Sequence, residues 1–111
     1  MVRKQTDALQ GTLTLLVLKT LAARGSLHGY GIATHLLTAS REILRVEEGS
    51  LYPALHRMEQ DGWIKANWGK SELGRRARFY AITAAGRRQL ETEEERWAEI
   101  TSAVNRVLRY V

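Results

Sequence analysis

The sequence has no cysteine and a single proline among its 111 residues. Without cysteine there is no disulfide framework and no thiolate zinc site, and the chain fits a reducing cytoplasm. No apolar run approaches the roughly 20 residues that span a bilayer. The best of them, Leu13 to Leu18, is short and interrupted, and the polar stretch Met1 to Thr6 does not read as a secretory leader. The three histidines, His28, His35 and His56, lack the i,i+3 or i,i+4 spacing of a metal site. No Ser/His/Asp arrangement and no phosphate loop is present, so neither an enzyme nor a cofactor is expected.

What remains is a folded chain of one domain's length, 44% hydrophobic and 26% charged. Seventeen Lys and Arg against twelve Asp and Glu give a formal charge of +5 and a pI near 10. So basic a balance points to a polyanionic partner, nucleic acid before a membrane surface. The charge is unevenly placed. Lys65, Lys70, Arg75, Arg76 and Arg78 fall within fourteen residues, whereas Glu91, Glu93, Glu94 and Glu95 cluster later.

Periodicity predicts four helices and a hairpin. Asp7 and Gln10 have capping-box spacing, which starts a helix near residue 8 that runs to 24, with Leu9, Leu13, Leu16, Val17 and Leu21 inward. Gly25 is its natural stop. After a short connection, a second helix over 29–39 turns Tyr30, Ala33, Leu36 and Leu37 inward. The connection 40–49 carries Ile43, Leu44 and Val46 and should lie down on the core. A third helix over 50–62 buries Leu51, Ala54, Leu55 and Met58 and exposes Tyr52, His56, Arg57 and Gln60. Ser50 reads as its N-cap, and Pro53 in a first turn would sacrifice no hydrogen bond. Gly62 ends it. β-prone segments over 63–68 and 76–82 flank a Gly-bounded turn, 69–74, which makes a hairpin with a long basic tip. Thr83 then caps a last helix.

Three helices followed by a hairpin is the element order of a winged helix-turn-helix. The expected architecture is mainly α with a small hairpin: a DNA-binding unit over 1–82 and a dimerisation helix over 83–111. Ser50, Tyr52, Pro53, His56 and Arg57 would then present the third helix to DNA. Lys70, Arg75, Arg76 and Arg78 would reach phosphates from the hairpin, Arg76 and Arg78 sharing one strand face. Each feature has a plainer reading, Tyr52 and Pro53 as packing residues and the arginines as a solvated turn. Glu47 and Glu48, just ahead of the third helix, would repel phosphate and must point away from it. A winged helix used only for protein contact would suit a neutral hairpin better. RNA binding would favour an aromatic stacking platform.

Leu90, Trp97, Val104 and Val111 recur every seven residues, with Ile100 and Val107 at the complementary offset. That is a coiled-coil-like seam, which a second copy of the chain would cover. The alternative cover is the first helix of the same chain, and the two can coexist.

The segments "LHGYGI" (27–32), "EGSLYPALHRMEQDGWI" (48–64), "WGKSELGRRARFYAIT" (68–83) and "GRRQL" (86–90) resemble the PadR family of bacterial transcriptional regulators. The resemblance extends from about Gly11 to Leu90, and the short tail is similar to the compact subfamily with one C-terminal helix. It implies a homodimeric repressor on a palindromic operator of double-stranded DNA, often released by a small aromatic effector. Ser50, Tyr52 and Pro53 match the family's recognition-helix start, Arg75 and Arg76 its wing arginines, and Thr83 its cap. Phe79 departs from the tyrosine common there. Trp97 is similar in position to a tryptophan in the dimer pore of multidrug-sensing members. Two such indoles facing across a two-fold axis would hold the helices apart and leave a slot walled by Ile100, Thr101 and Val104. The plainer reading makes Trp97 a large core residue that closes the dimer.

Overall fold

The structure is a computed structural model that describes the backbone of residues 4–110 and the side chains of residues 12–110. Its elements are α1 (Lys4–Arg24), β1 (Leu27–His28), α2 (Gly29–Ala39), α3 (Glu48–Gln60), β2 (Ile64–Lys70), β3 (Arg76–Ile82) and α4 (Ala84–Tyr110). The two-residue β1 is a genuine strand. It pairs antiparallel with β3, Leu27 opposite Tyr80, and β3 in turn pairs with β2, giving a sheet of order β1-β3-β2.

Helix α1 lies at the centre, packed on α2, α3, α4 and β3. Leu13, Val17, Leu18 and Leu21 are buried on it, as their spacing predicts. The helix begins at Lys4, so Asp7 lies inside it and not at its cap. The side chains of Asp7, Leu9 and Gln10, and all of Val111, lie outside the described residues. Thr20, also buried, donates its hydroxyl to the Leu16 carbonyl at 2.7 Å and so carries no unmet polar demand. Gly25 closes the helix at φ +83°, with its N–H on the Leu21 carbonyl.

In α2 the buried residues are Gly29, Ile32 and Leu36, so the inward stripe is rotated one residue from the expected one. Tyr30 faces solvent, 73% exposed. The His28 ring fixes this start, because its Nδ1 accepts the Gly31 N–H at 2.9 Å while the ring stacks on Phe79 of β3. The connection to α3 also departs from expectation. Arg41 and Glu42 both take positive φ, and beyond this left-handed turn Ile43 is exposed while Val46 packs on the core.

Ser50 is not the N-cap of α3. The Glu47 carbonyl already accepts the N–H groups of Ser50 and Leu51, so the helix begins at Glu48 and Glu47 is the cap. Pro53 therefore sits in the second turn, where its missing N–H leaves the Gly49 carbonyl without its helical donor. Gly49 and Pro53 are both exposed, and solvent can take up that oxygen. At the far end Gly62, at φ +79°, turns the chain into the hairpin.

Thr83 ties the hairpin to α4. Its hydroxyl donates to the Gly62 carbonyl at 2.6 Å and accepts the Gly86 N–H at 3.0 Å, the capping role read from the sequence. Gly86 lets this turn close, since a Cβ there would strike the Trp63 carbonyl. The first half of α4 packs on α1, with Leu90 in the core and Lys19 bridged to Glu94 at 3.1 Å. Its 27 residues span about 40 Å. The molecule is 54 Å in its longest dimension, and the second half of α4 carries Trp97, Ile100, Val104, Val107 and Leu108 exposed. Among the described residues, no helix is long and apolar enough to cross a membrane.

Candidate nucleic-acid interface

Burial of Leu51, Ala54, Leu55 and Met58 fixes the roll of α3. Because those four face the core, Tyr52, His56 and Glu59, at i, i+4 and i+7, form a stripe directed toward the hairpin. The stripe is one wall of a cleft of about 570 Å³, and Trp68, Arg76 and Arg78 form the other. Gly29, Tyr30 and Tyr80 belong to the same lining. Gly29 is needed for this arrangement: a Cβ there would meet the Tyr52 hydroxyl at 2.5 Å. Tyr52 thus packs along the start of α2, as the plainer reading has it, while remaining 43% exposed.

The hairpin is built differently from the sequence expectation. Gly69 and Lys70 pair with Ala77 and Arg76, which extends β2 by two residues and shortens the tip to 71–75. That tip carries one cation, Arg75, beside Glu72, so it is not a basic tip. The basic charge stands on the strands. Arg76 stacks its guanidinium 4.5 Å from the Trp68 ring centroid, and Arg78 lies 5.9 Å from the rings of both Trp68 and Tyr80. Shared strand parity does put the two arginines on one face. Arg78 also bridges to Glu59 of α3, Nη2 to Oε2 at 2.9 Å. Burial raises the Tyr80 phenol above its ordinary range, with the Arg78 charge opposing that rise, so it stays a neutral hydroxyl at physiological pH.

Of the residues singled out for DNA, the cleft gathers Tyr52, His56, Arg76 and Arg78. Ser50, Pro53, Arg57 and Arg75 lie outside it, the last three exposed and Ser50 half-buried. Lys70 lines a second cleft, against α2. Glu47 and Glu48 are exposed at the start of α3. Trp68, Glu59 and Gly29 were not anticipated. Glu59 was legible as the next member of the Tyr52–His56 stripe, and Trp68 as the cross-strand partner of Arg78 once the short tip fixes the register. On α4, Trp97 and Thr101 border a shallow depression with Ser102 and Asn105, while Ile100 and Val104 do not line it. Among the described residues, no group of His, Asp or Glu is placed to hold a metal ion.

Residues 17–92 match the model of the transcriptional regulator PadR-like family. The chain belongs to that family. A transcriptional regulator from Mycobacterium tuberculosis is 41% identical over 78 residues, covering 70% of this chain and 68% of that protein. The crystal structure of a PadR-like transcriptional regulator from Bacillus cereus superposes with a TM-score of 0.76 at 31% identity, covering 92% of this chain and 96% of the other. The structure of a transcriptional regulator from Clostridium thermocellum gives 0.81 at 27% identity, over 90% and 96% of the two chains. In this winged-helix fold the β2–β3 hairpin is the wing, and the cleft lies between it and α3. The family and these neighbours are transcriptional regulators and not enzymes.

Proposed function

We propose that this PadR-like chain binds double-stranded DNA sequence-specifically as a homodimer and represses transcription from a palindromic operator. The observation that carries the reading is the cleft itself. An exposed Tyr52–His56 stripe and an arginine-bearing wing face one another across a space open to solvent. Recognition helix and wing on either side of a strand would let Tyr52, His56 and Arg57 reach base edges. Arg76, Arg75 and Lys70 hold phosphates, and Ser50 and Pro53 shape the exposed helix start. The acidic pair Glu47 and Glu48 disfavours an end-on approach of phosphate to α3, so the strand enters along the stripe.

Residues 1–82 contact DNA in this reading, and 83–111 hold two copies together through Trp97, Ile100, Val104, Val107 and Val111, whereas Leu90, expected in the same seam, is buried in the core of its own chain. Support for the pairing is the row of exposed apolar side chains on α4. The test is a fluorescence shift titration with duplex from the protein's own promoter, against excess random duplex and RNA. Retention of the promoter complex is expected. Equal competition by all three would defeat the specific reading.

A small aromatic effector would stack at Trp97, 49% exposed in the protomer, with Thr101 beside it and Ile100 and Val104 meeting their copies across the two-fold axis. Binding relieves repression only if the slot differs between free and DNA-bound dimers. Planar aromatic cations and phenolic acids should quench tryptophan fluorescence in the wild type and not in Trp97→Phe. Equal quenching in both would place the ligand elsewhere, at a site reported by Trp63 or Trp68.

A further inference from the structure

The wing presents two arginines on one face, and they are not in equivalent surroundings. Arg76 lies over the Trp68 ring, 4.5 Å from its centroid, and has no carboxylate partner among the described residues. Arg78 is held by Glu59 at 2.9 Å and flanked by two aromatic rings. Glu59 belongs to the same α3 stripe as Tyr52 and His56 and lines the same cleft. An acidic group on that wall is unexpected for a surface that meets DNA.

We infer that Glu59 is an electrostatic brake on DNA binding and that Arg78 serves as its counter-charge, not as a phosphate contact. The inference rests on the DNA-binding reading above. A phosphate entering the cleft meets Arg78 already neutralised, and the Glu59 carboxylate beside it repels the phosphate by about as much as the guanidinium attracts it. A paired arginine of this kind displaces no phosphate counterion, so it adds nothing to the salt dependence of binding. Arg76, over the Trp68 indole and without a carboxylate partner among the described residues, does add to it. The brake has a use. A chain of net charge +5 binds any duplex, and one charge withheld per protomer weakens competition from random sequence.

Glu59→Gln keeps the shape and removes the charge. It should raise affinity for random duplex several-fold near 0.15 M salt and steepen the slope of log affinity against log salt by about 0.9 per protomer. Arg78→Gln uncovers the carboxylate and should weaken binding. The double variant, with neither charge, should return close to the wild-type affinity and slope. An exposed pair contributes little to stability, so all three should keep the wild-type circular dichroism spectrum and thermal midpoint.

Arg76→Ala is the control, expected to lower the slope by about 0.9 per protomer. If Arg76→Ala lowers the slope while Glu59→Gln leaves it unchanged, Arg78 is an ordinary phosphate contact or faces away, and the inference fails alone. A double variant that binds as weakly as Arg78→Gln alone would also overturn it. If Arg76→Ala moves nothing either, the docking face is wrong and the DNA-binding reading falls as well.

Discussion

Replacing Ile100 and Val104 together with glutamate is expected to give a protomer that folds normally, sediments as a monomer and loses operator affinity by roughly 10²–10⁴. The fold should survive because both side chains are about half exposed in the protomer, 54% and 49%, and contribute little to its core. Leu90 and the Lys19–Glu94 bridge, which dock the first half of α4 on α1, are untouched. Beyond that dock the apolar row has no cover among the described residues. Four glutamates facing one another across a two-fold axis would prevent the helices from meeting. The affinity loss follows from the proposed arrangement, in which each protomer would supply α3 to one half-site and the dimer would add the second at high effective concentration. Trimming the chain after Leu90 should act in the same direction, but it also removes Glu94. Analytical ultracentrifugation at micromolar concentration checks the first half of the expectation and an operator titration the second. A wild-type chain that sediments as a monomer would contradict the account outright.

Tyr52→Ala and Arg76→Ala should both weaken operator binding and should differ in everything else. Tyr52 stands on α3 with its ring braced over Gly29, and in the proposed complex that bracing would present it to a groove. Its loss should cost about 1–3 kcal/mol per half-site on the operator and much less on random duplex. Arg76 is a positive charge on the wing, placed over the Trp68 ring. Its loss should weaken operator and random duplex alike and lower the salt slope by about 0.9 per protomer. Parallel titrations of each variant at several salt concentrations, on operator and on random duplex, separate the two patterns. If the two variants gave the same pattern, the assignment of Tyr52 to bases and Arg76 to phosphates would be wrong.

Much of this arrangement was legible in the sequence, and the places where it was not share a cause. The roll of α3 follows from Leu51, Ala54, Leu55 and Met58, and the structure keeps it, because four large apolar contacts outweigh any local preference. The same logic gives the core of α1 and the cap at Thr83. Tyr30 misled because it fits an apolar stripe as well as Ile32 does. What decides is the close pass of Tyr52 over Gly29, a contact between two helices that no single-helix pattern contains. Gly69 and Lys70 read as turn residues, yet both pair with β3, and glycine suits position 69 because the Phe79 ring lies 3.0 Å from where a Cβ would sit. The start of α3 was read two residues late, from the side-chain preference of Ser50, whereas the Glu47 backbone carbonyl makes the first bonds. The cleft depends on all of these. Tyr52, His56 and the arginines were visible one by one. Glu59 and Trp68 acquire their roles only when helix and hairpin are brought face to face.

The central claim is that two copies of this chain read one symmetrical DNA site through α3 and the wing. Selecting bound duplexes from a randomised pool tests it most directly. The account predicts an enriched inverted repeat with half-site centres about one helical turn apart, roughly 10 base pairs. Enriched duplexes should lose their advantage over random sequence when the selection is repeated with Tyr52→Ala. A pool that shows no enrichment, or enriches a single unrepeated element bound equally well by Tyr52→Ala, would contradict it.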